Sequence, residues 1–215
     1  MLSSTVVSAN SSYPQSITAQ YGFHYIGPSH PLRAIIEQFI CAKYWLSFAA
    51  CLEQLPLHLI AILDQQQQPV AACALTPAAE QSLFCEHYLP QPAEQLITAS
   101  PQQPVSRQQL LEVGSMACVD HRYLPLLFTA VIHAANELQR PWLVFTATTP
   151  LRRHLKRFNL PTTVLGQALD SALPTTQHQQ WGRYYSTQPL VVSGHVAAGQ
   201  WLYQQLSDQV VWESL

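Results

Sequence analysis

Residues 106–117 read SRQQLLEVGSMA, and the apolar run at their centre carries one acidic residue, Glu112, and one glycine, Gly114. This pattern predicts a strand over residues 107–118. A carboxylate in an apolar strand costs free energy unless it is paired, protonated or facing a wet cleft. A glycine within a strand often marks a bulge or a close backbone approach, although ordinary packing is an alternative at Gly114. The stretch therefore combines a titratable group with a possible break in regular pairing.

Strand and helix patterns alternate on both sides of this stretch. We predict strands at 20–26, 57–64, 69–76 and 141–147 and two strand-like pieces within 181–194, and helices at 31–55, 123–139, 149–158 and 200–206. Thr149 is expected to cap the third of these helices. A hairpin followed by strands that a helix separates indicates an α/β (α+β) fold with a mixed central sheet and helices on both faces. Residues 1–16 are expected to be a flexible N-terminal extension, and 17–215 a single domain.

Composition excludes several classes of function. Charged residues make up 10% of the chain and the formal net charge is −2, so no global field attracts nucleic acid. The five cysteines form no CxxC pair, which indicates reduced thiols. Absence of a secretory signal or a long apolar run predicts a cytoplasmic protein without stable membrane insertion. The nine histidines form no HxH or HExxH motif, so we expect no metal site.

Several separated blocks resemble one known family. They are KYWLSFAACLEQLPLHLIAILDQQQQPVAACALTPA (43–78), LFCEHYLPQPAEQLI (83–97), SRQQLLEVGSMA (106–117), WLVFTATTPLRRHLKRFNLP (142–161) and WGRYYSTQPLVVSG (181–194). In this order they resemble the thermostable hemolysin family over about residues 20–195. The resemblance implies a GNAT-like acyltransferase fold, similar to that of acyl-homoserine-lactone synthases. Ser115 departs from the family pattern, in which asparagine is common, and so do Phe84 and Cys85 at a leucine-rich pair.

The resemblance also implies catalytic roles on the strand. Glu112 would accept the proton of a nucleophilic amine, directly or through water. The backbone around Gly114, Ser115 and Met116 would stabilise the oxyanion of a thioester carbonyl. The alternative for Glu112 is a buried structural partner of an arginine or a backbone amide.

A second set of residues is expected to bind substrate. Its members are Tyr44, Glu86, Tyr88, Arg107, Met116, Phe145, Thr146, Trp181 and Tyr184. For Glu86 and Tyr88 the alternative is an ion pair and a hydroxyl contact that pin an irregular segment. For Tyr44, Trp181 and Tyr184 it is ordinary packing, although aromatic residues can also wall an acyl tunnel.

A basic cluster after the FTAT strand completes the list of candidates. It contains four of the ten Lys and Arg residues: Arg152, Arg153, Lys156 and Arg157. Such a cluster suits a phosphopantetheine phosphate or an acidic carrier protein, and a solvated surface is the alternative. Residues 118–125, CVDHRYLP, contain no glycine where ordinary GNAT enzymes carry a glycine-containing pyrophosphate loop.

These observations favour an N-acyltransferase that moves a fatty acyl group from an acyl-thioester to a small amine. An acyl-carrier protein is favoured over coenzyme A as donor, and no permanently bound cofactor is expected. The alternative is a haemolysin-like or non-catalytic GNAT-like binding protein. Monomer and homodimer both remain open.

Overall fold

The protein is described here from a computed structural model, which covers residues 20–97, 104–174 and 178–213. The expected N-terminal extension lies outside the described residues. The strands are β1 (Tyr21–Ile26), β2 (His58–Leu63), β3 (Pro69–Pro77), β4 (Leu110–Cys118), β5 (Trp142–Ala147), β6 (Thr163–Gln167), β7 (Leu190–His195) and β8 (Val210–Val211). The α-helices are α1 (Arg33–Phe48), α2 (Ala93–Leu96), α3 (Leu124–Glu137), α4 (Thr149–Arg157) and α5 (Gln200–Leu206).

The eight strands form one mixed sheet in the order β6-β7-β5-β4-β3-β2-β1-β8. Strands β1 to β4 pair antiparallel with their sequence neighbours, as short connections allow. Strand β5 lies parallel to β4 because α3 carries the chain back across the sheet, whereas β7 pairs antiparallel with both β5 and β6. The prediction of a mixed sheet is confirmed.

Helices cover both faces of this sheet, as predicted, and β2 shows why. Its residues Leu59, Ala61 and Leu63 point to one face and pack in a cluster with α1. The alternate residues Ile60 and Ile62 point to the other face and pack in a cluster with α3. Because side chains alternate along a strand, a continuous apolar run can supply two cores at once.

A β-bulge interrupts β4 where the sequence places its glycine. Ala74 of β3 pairs with Gly114, but Ala72, two residues away, pairs with Ala117, so β4 contains one extra residue. Ser115 in this bulge has a φ of 49°, in the left-handed region that non-glycine residues rarely adopt. The strand therefore bends immediately after Glu112.

Strands β4 and β5 separate just beyond Glu112. Their parallel register runs only from Leu110↔Trp142 to Glu112↔Val144, although both strands continue further. This divergence opens a gap in the middle of the sheet, and the bulge lies on one side of it.

The predicted helix 31–55 is nine residues too long, two at its start and seven at its end. It ends at Phe48, where Ala49 adopts a left-handed φ of 54° and its N–H bonds the Trp45 carbonyl. The chain that follows is held by Arg33, whose guanidinium donates to the carbonyls of Pro56 and Leu57 at 2.7 and 2.6 Å. These tertiary contacts override the helical pattern of the sequence.

The strand-like piece predicted at WGRYY is also wrong. Residues Gln179–Trp181 and Tyr184–Thr187 form 3₁₀ turns on either side of Gly182. Gly182 has a φ of 50°, and a Cβ there would lie 2.3 Å from the Phe48 carbonyl oxygen. Only glycine fits this close approach to the end of α1.

Two short strands and one helix cap also differ from the prediction. The sequence interpretation missed β6 and β8. The residue that caps α4 is Thr148, whose hydroxyl accepts the Leu151 N–H at 3.4 Å, and not Thr149. Thr149 instead donates its hydroxyl to the Thr187 carbonyl at 2.7 Å.

Candidate active site

The gap between β4 and β5 opens into a cleft of about 820 Å³. Nine of the candidate residues line it: Tyr44, Tyr88, Glu112, Gly114, Ser115, Met116, Thr146, Trp181 and Tyr184. The first turns of α4 close one side through Thr148, Pro150, Leu151 and His154. The structure thus brings together residues that lie far apart in the sequence.

Glu112 lies in the wall of this cleft with its side chain largely enclosed. The residue is 6% exposed, and its two carboxylate oxygens accept the backbone N–H groups of Phe84 and Cys85, each at 2.8 Å. Burial raises the pKa of Glu112, and these two hydrogen bonds oppose the rise. Glu112 therefore has the backbone N–H partners expected of a buried structural carboxylate, and it also borders the open cleft.

The backbone next to Glu112 is accessible from the cleft. A Cβ added at Gly114 would meet nothing within 4 Å, so the space beside this residue is open. Within the described residues, the groups of β4 that face β5 beyond Glu112 have no strand partner. Backbone N–H groups exposed in this way can bind a developing oxyanion.

One side of the cleft is built from aromatic rings, which we call the aromatic wall: Tyr44, Phe48, Phe84, Tyr88, Trp181 and Tyr184. Trp181 lies 5.2 Å from Tyr184 and 5.4 Å from Phe84, measured between ring centroids. Its indole Nε1 is buried and has no hydrogen-bond partner among the residues that the structure describes. Such a donor is costly to bury unless a ligand accepts from it.

The Tyr88 hydroxyl links the irregular segment before β4 to the segment that carries Trp181 and Tyr184. It forms a 2.6 Å hydrogen bond with the Tyr185 hydroxyl, across 97 residues of sequence. Burial raises the pKa of Tyr88, so the phenol stays protonated at neutral pH. The contact matches the hydroxyl pairing that was the structural alternative for this residue.

Glu86 and Arg107 do not line the cleft. Arg107 forms a bidentate pair with Glu86 at 2.7 and 2.9 Å and also bonds Glu94 at 2.9 Å. Burial by itself would raise the pKa of Glu86, but bonds from Arg107 and from two backbone N–H groups outweigh it and hold the pKa below its usual value. This network fastens the irregular segment to the start of β4, so the geometry supports the structural alternative given for Glu86, with Arg107 as its ion-pair partner.

Phe145 faces a different space, on the α3 side of the sheet. It lines an apolar cavity of about 60 Å³ together with Phe128, Val131 and Leu155. Val113 and Met116 line both this cavity and the cleft, so β4 separates the two. No other residue in the described ranges lines both spaces.

The basic cluster on α4 divides into two parts. Arg152 is committed internally, because its guanidinium donates to the carbonyls of Ala147 and Gln188 at 2.8 and 2.9 Å. Arg153, Lys156 and Arg157 are exposed and form no ion pair with any acidic side chain in the described ranges. These three charges lie outside the cleft.

Several cleft residues were not among the candidates. They include Phe48, Phe84, Thr148, Leu151, His121 and His154. The imidazoles of His121 and His154 stack with centroids 5.8 Å apart. His121 follows the end of β4 closely in sequence, and this closeness was a signal that it could border the site. The other residues reach the cleft only through contacts between distant segments.

A family comparison now adds to this geometry. The model of the family described as thermostable hemolysin matches residues 26–200. This chain belongs to the thermostable hemolysin family. No curated protein sequence matches it.

Solved structures relate this hemolysin-family chain to acyl-transferring enzymes. The coenzyme A-dependent acyl-homoserine lactone synthase BjaI, with SAM and isopentyl-CoA, has a TM-score of 0.59 at 12% identity, covering 91% of this chain and 94% of that one. The coenzyme A-dependent acyl-homoserine lactone synthase MesI has a TM-score of 0.54 at 12% identity, covering 90% and 98%. FeeM, an N-acyl amino acid synthase from uncultured soil microbes, has a TM-score of 0.54 at 14% identity, covering 85% and 94%.

At these identities the likeness establishes the fold. The prediction of a GNAT-like fold similar to acyl-homoserine-lactone synthases is confirmed. In addition, the helices of the described residues are all too short or too polar to cross a bilayer.

Proposed function

We propose that this member of the thermostable hemolysin family is an N-acyltransferase that moves a fatty acyl group from an acyl-thioester to a small amine. The observation that carries the proposal is the divergence of β4 and β5 beside Glu112 and Gly114. An extended pantetheine arm fits a gap between two strands, since it can bond the strand edge through its amide groups. The open space at Gly114 admits the thioester next to free backbone groups.

The reaction can be assigned to named groups. The amine nitrogen attacks the thioester carbonyl carbon, the carbonyl oxygen becomes an oxyanion against the backbone near Ser115, and the C–S bond then breaks. Glu112, directly or through a water, takes the proton from the amine and returns it to the departing thiolate. The carboxylate offers about four lone-pair positions; backbone N–H groups use two and the Cys85 thiol bonds the same group, so one position remains for the amine.

The fatty chain requires an apolar space, and we propose that the cavity of about 60 Å³ behind β4 widens to admit it. Its lining includes Phe145 and is almost entirely apolar. Val113 and Met116 line both this cavity and the cleft, so the proposed route of the chain passes these two side chains. Burying each methylene there contributes about 0.8 kcal/mol.

The donor is proposed to be an acyl-carrier protein. Arg153, Lys156 and Arg157 offer an exposed cationic surface beside the cleft, which suits an acidic protein. The chain after β4 lacks the glycines of a pyrophosphate-binding loop. Coenzyme A is the competing donor, and BjaI and MesI are named as enzymes that depend on it.

The test is a transfer assay with matched donors. Purified protein is incubated with a mixture of amines and either decanoyl-acyl-carrier protein or decanoyl-coenzyme A, and amide products are identified by mass spectrometry. We expect amide from the carrier-protein donor. Amide from coenzyme A alone would contradict the donor assignment, and absence of amide from both would contradict the enzyme. Lysis of liposomes by the protein without any donor would instead support the haemolysin-like alternative.

A further inference from the structure

The cleft has an unusual balance of charge. The chain contains ten Lys and Arg residues, all of them within the described ranges, and none lines the cleft. The acidic residues Glu53 and Glu112 do line it. The charged groups that border the acceptor space are therefore anionic, apart from histidines.

Three of the arginines are engaged elsewhere, and the other basic side chains also lie outside the lining of the cleft. Arg33 binds Glu37 at 2.7 Å, Arg107 binds Glu86 and Glu94, and Arg152 binds backbone carbonyls. Recognition of a carboxylate usually relies on such a guanidinium, which offers two parallel N–H donors. No guanidinium in this chain is placed to do so inside the cleft.

Three histidines also border the space: His87, His121 and His154. An imidazole is not a fixed cation at neutral pH, so it compensates a carboxylate only if a proton is taken up. A ligand carboxylate would therefore lie near Glu112 without a permanent counter-charge, and like charges at such distances repel each other.

The aromatic wall favours the opposite kind of ligand. Aromatic ring faces attract cations, and tryptophan does so most strongly. Trp181, Phe84 and Tyr184 lie together on this wall, and the backbone N–H of Phe84 donates to the Glu112 carboxylate. The neutral Nε1–H of Trp181 remains available for a hydroxyl or carbonyl oxygen.

Resting on the acyl transfer proposed above, we infer that the acceptor is a small cationic amine that carries no carboxylate, and not an amino acid. The ammonium group binds between the aromatic wall and Glu112 and releases one proton to water in the cleft before attack. Glu112 then takes the second proton as the C–N bond forms and returns it to the departing thiolate. This assignment separates the chain from FeeM, which is named as an N-acyl amino acid synthase and shares only the fold.

The inference is tested by matched pairs that differ only in the carboxylate. Tyrosine and tyramine, phenylalanine and phenethylamine, and serine and ethanolamine are titrated into the protein by calorimetry, without any acyl donor. We expect each amine to bind at least about tenfold more tightly than its amino acid. Equal or tighter binding of the amino acids would overturn the inference, and so would absence of saturable binding by every amine.

The same pairs are then offered with an acyl donor, and amides are quantified by mass spectrometry. Amides of the amines alone support the inference. Amides chiefly of the amino acids overturn it while leaving the acyltransferase intact. If no amide forms, the proposed acyltransferase fails, whereas the calorimetric comparison still decides which ligand class the cleft accepts.

A gain-of-charge variant provides a second, independent readout. Ser47 is exposed, lines the cleft and lies in the last turn of α1, where a basic side chain is compatible with the helix dipole. Ser47→Arg should narrow the preference for amine over amino acid by about tenfold. Gln38→Arg adds the same charge on an exposed position of α1 outside the cleft and should leave the preference unchanged. An unchanged preference in Ser47→Arg would count against the inference.

Discussion

The Glu112 carboxylate accepts a 2.8 Å hydrogen bond from the backbone N–H of Phe84, a residue of the aromatic wall. One contact therefore positions both the proposed base and a ring of the proposed acceptor site. It also fixes the irregular segment between β3 and β4 against the edge of the cleft. Any substitution of Glu112 must be judged for its effect on folding as well as on transfer.

Glu112→Gln should lose acyl transfer and also lower stability. The glutamine amide presents an NH₂ group to one of two backbone N–H groups, so one buried donor is left unpaired at a cost of about 1–3 kcal/mol. Urea unfolding and turnover should be measured together. Glu80→Gln is the control, because Glu80 is exposed and outside the cleft. Full transfer activity in folded Glu112→Gln would remove this carboxylate from the mechanism.

The acidic limb of the pH–rate profile should also report the protonation of the Glu112 carboxylate. Burial raises its pKa, with the bonds from Cys85 and Phe84 opposing, so a larger fraction is protonated at mildly acidic pH than for an ordinary glutamate. A base acts only when deprotonated, so kcat/KM should rise with pH and level off above the raised pKa. The midpoint should lie above about 4.3, the usual value for glutamate. A limb that persists unchanged in Glu112→Gln would belong to another group.

The bulge at Ser115 makes a prediction about backbone conformation. Its φ of 49° is tolerated by asparagine and glycine but strained for β-branched residues. Ser115→Asn should keep stability within about 0.5 kcal/mol, whereas Ser115→Val should lose about 1–3 kcal/mol and distort the cleft. Thermal unfolding and the calorimetric titration of an amine would show both effects. Equal stability of the two variants would contradict the assigned geometry.

The Glu86–Arg107 network should control acid stability. The pKa of Glu86 is depressed in the folded protein, so its contribution is complete above the unfolded value near 4.3 and is lost as pH falls through the lower, folded value. Glu86→Gln should cost about 2 kcal/mol at neutral pH and flatten the loss of stability below about pH 4. Glu37→Gln is the matched control, because that more exposed pair with Arg33 should cost about 0.5 kcal/mol or less.

Local patterns in the sequence were sufficient for much of the fold. The β2–β3 hairpin, the strand around Glu112 and the helix after it follow from apolar runs and their turns. The early end of α1 was not predictable because it depends on Arg33 and Gly182, which meet that region only after folding. The short strands β6 and β8 were missed because their pairing with β7 and β1 decides their conformation, with little periodicity of their own.

The residues of the candidate site likewise divide into those that a local pattern predicts and those that only tertiary contacts bring together. Residues on β4 could be proposed because a carboxylate and a glycine stand out against an apolar strand. Glu86 and Arg107 were expected to bind substrate, but they pair with each other outside the cleft. The sequence alone does not show which charged residues form pairs. Phe48 and Phe84 were missed because an aromatic residue in an irregular segment carries no signal of what it faces.

Docking of the acyl-carrier protein should depend on the exposed basic side chains of α4 and not on Arg152. Reversing Arg153, Lys156 and Arg157 to glutamate should raise KM for an acyl-carrier protein by about tenfold, and more at low salt. KM for a decanoyl-pantetheine thioester, which lacks the protein surface, should stay the same. Arg183→Glu changes an exposed arginine outside α4 and serves as the control. Equal losses with both thioesters would indicate damage to the cleft and not to docking.

The cavity behind β4 should set the length of the acyl chain. Met116 lies between this cavity and the cleft, so Met116→Trp should fill the passage and exclude long chains. Each methylene that can no longer be buried costs about 0.8 kcal/mol, so kcat/KM for a decanoyl donor should fall far more than that for a butyryl donor. Met116→Leu keeps volume and apolarity and should retain the wild-type order of donors. Equal losses for both donors in Met116→Trp would instead place the fatty chain elsewhere, because a chain that never passes Met116 is not affected by its bulk in proportion to length.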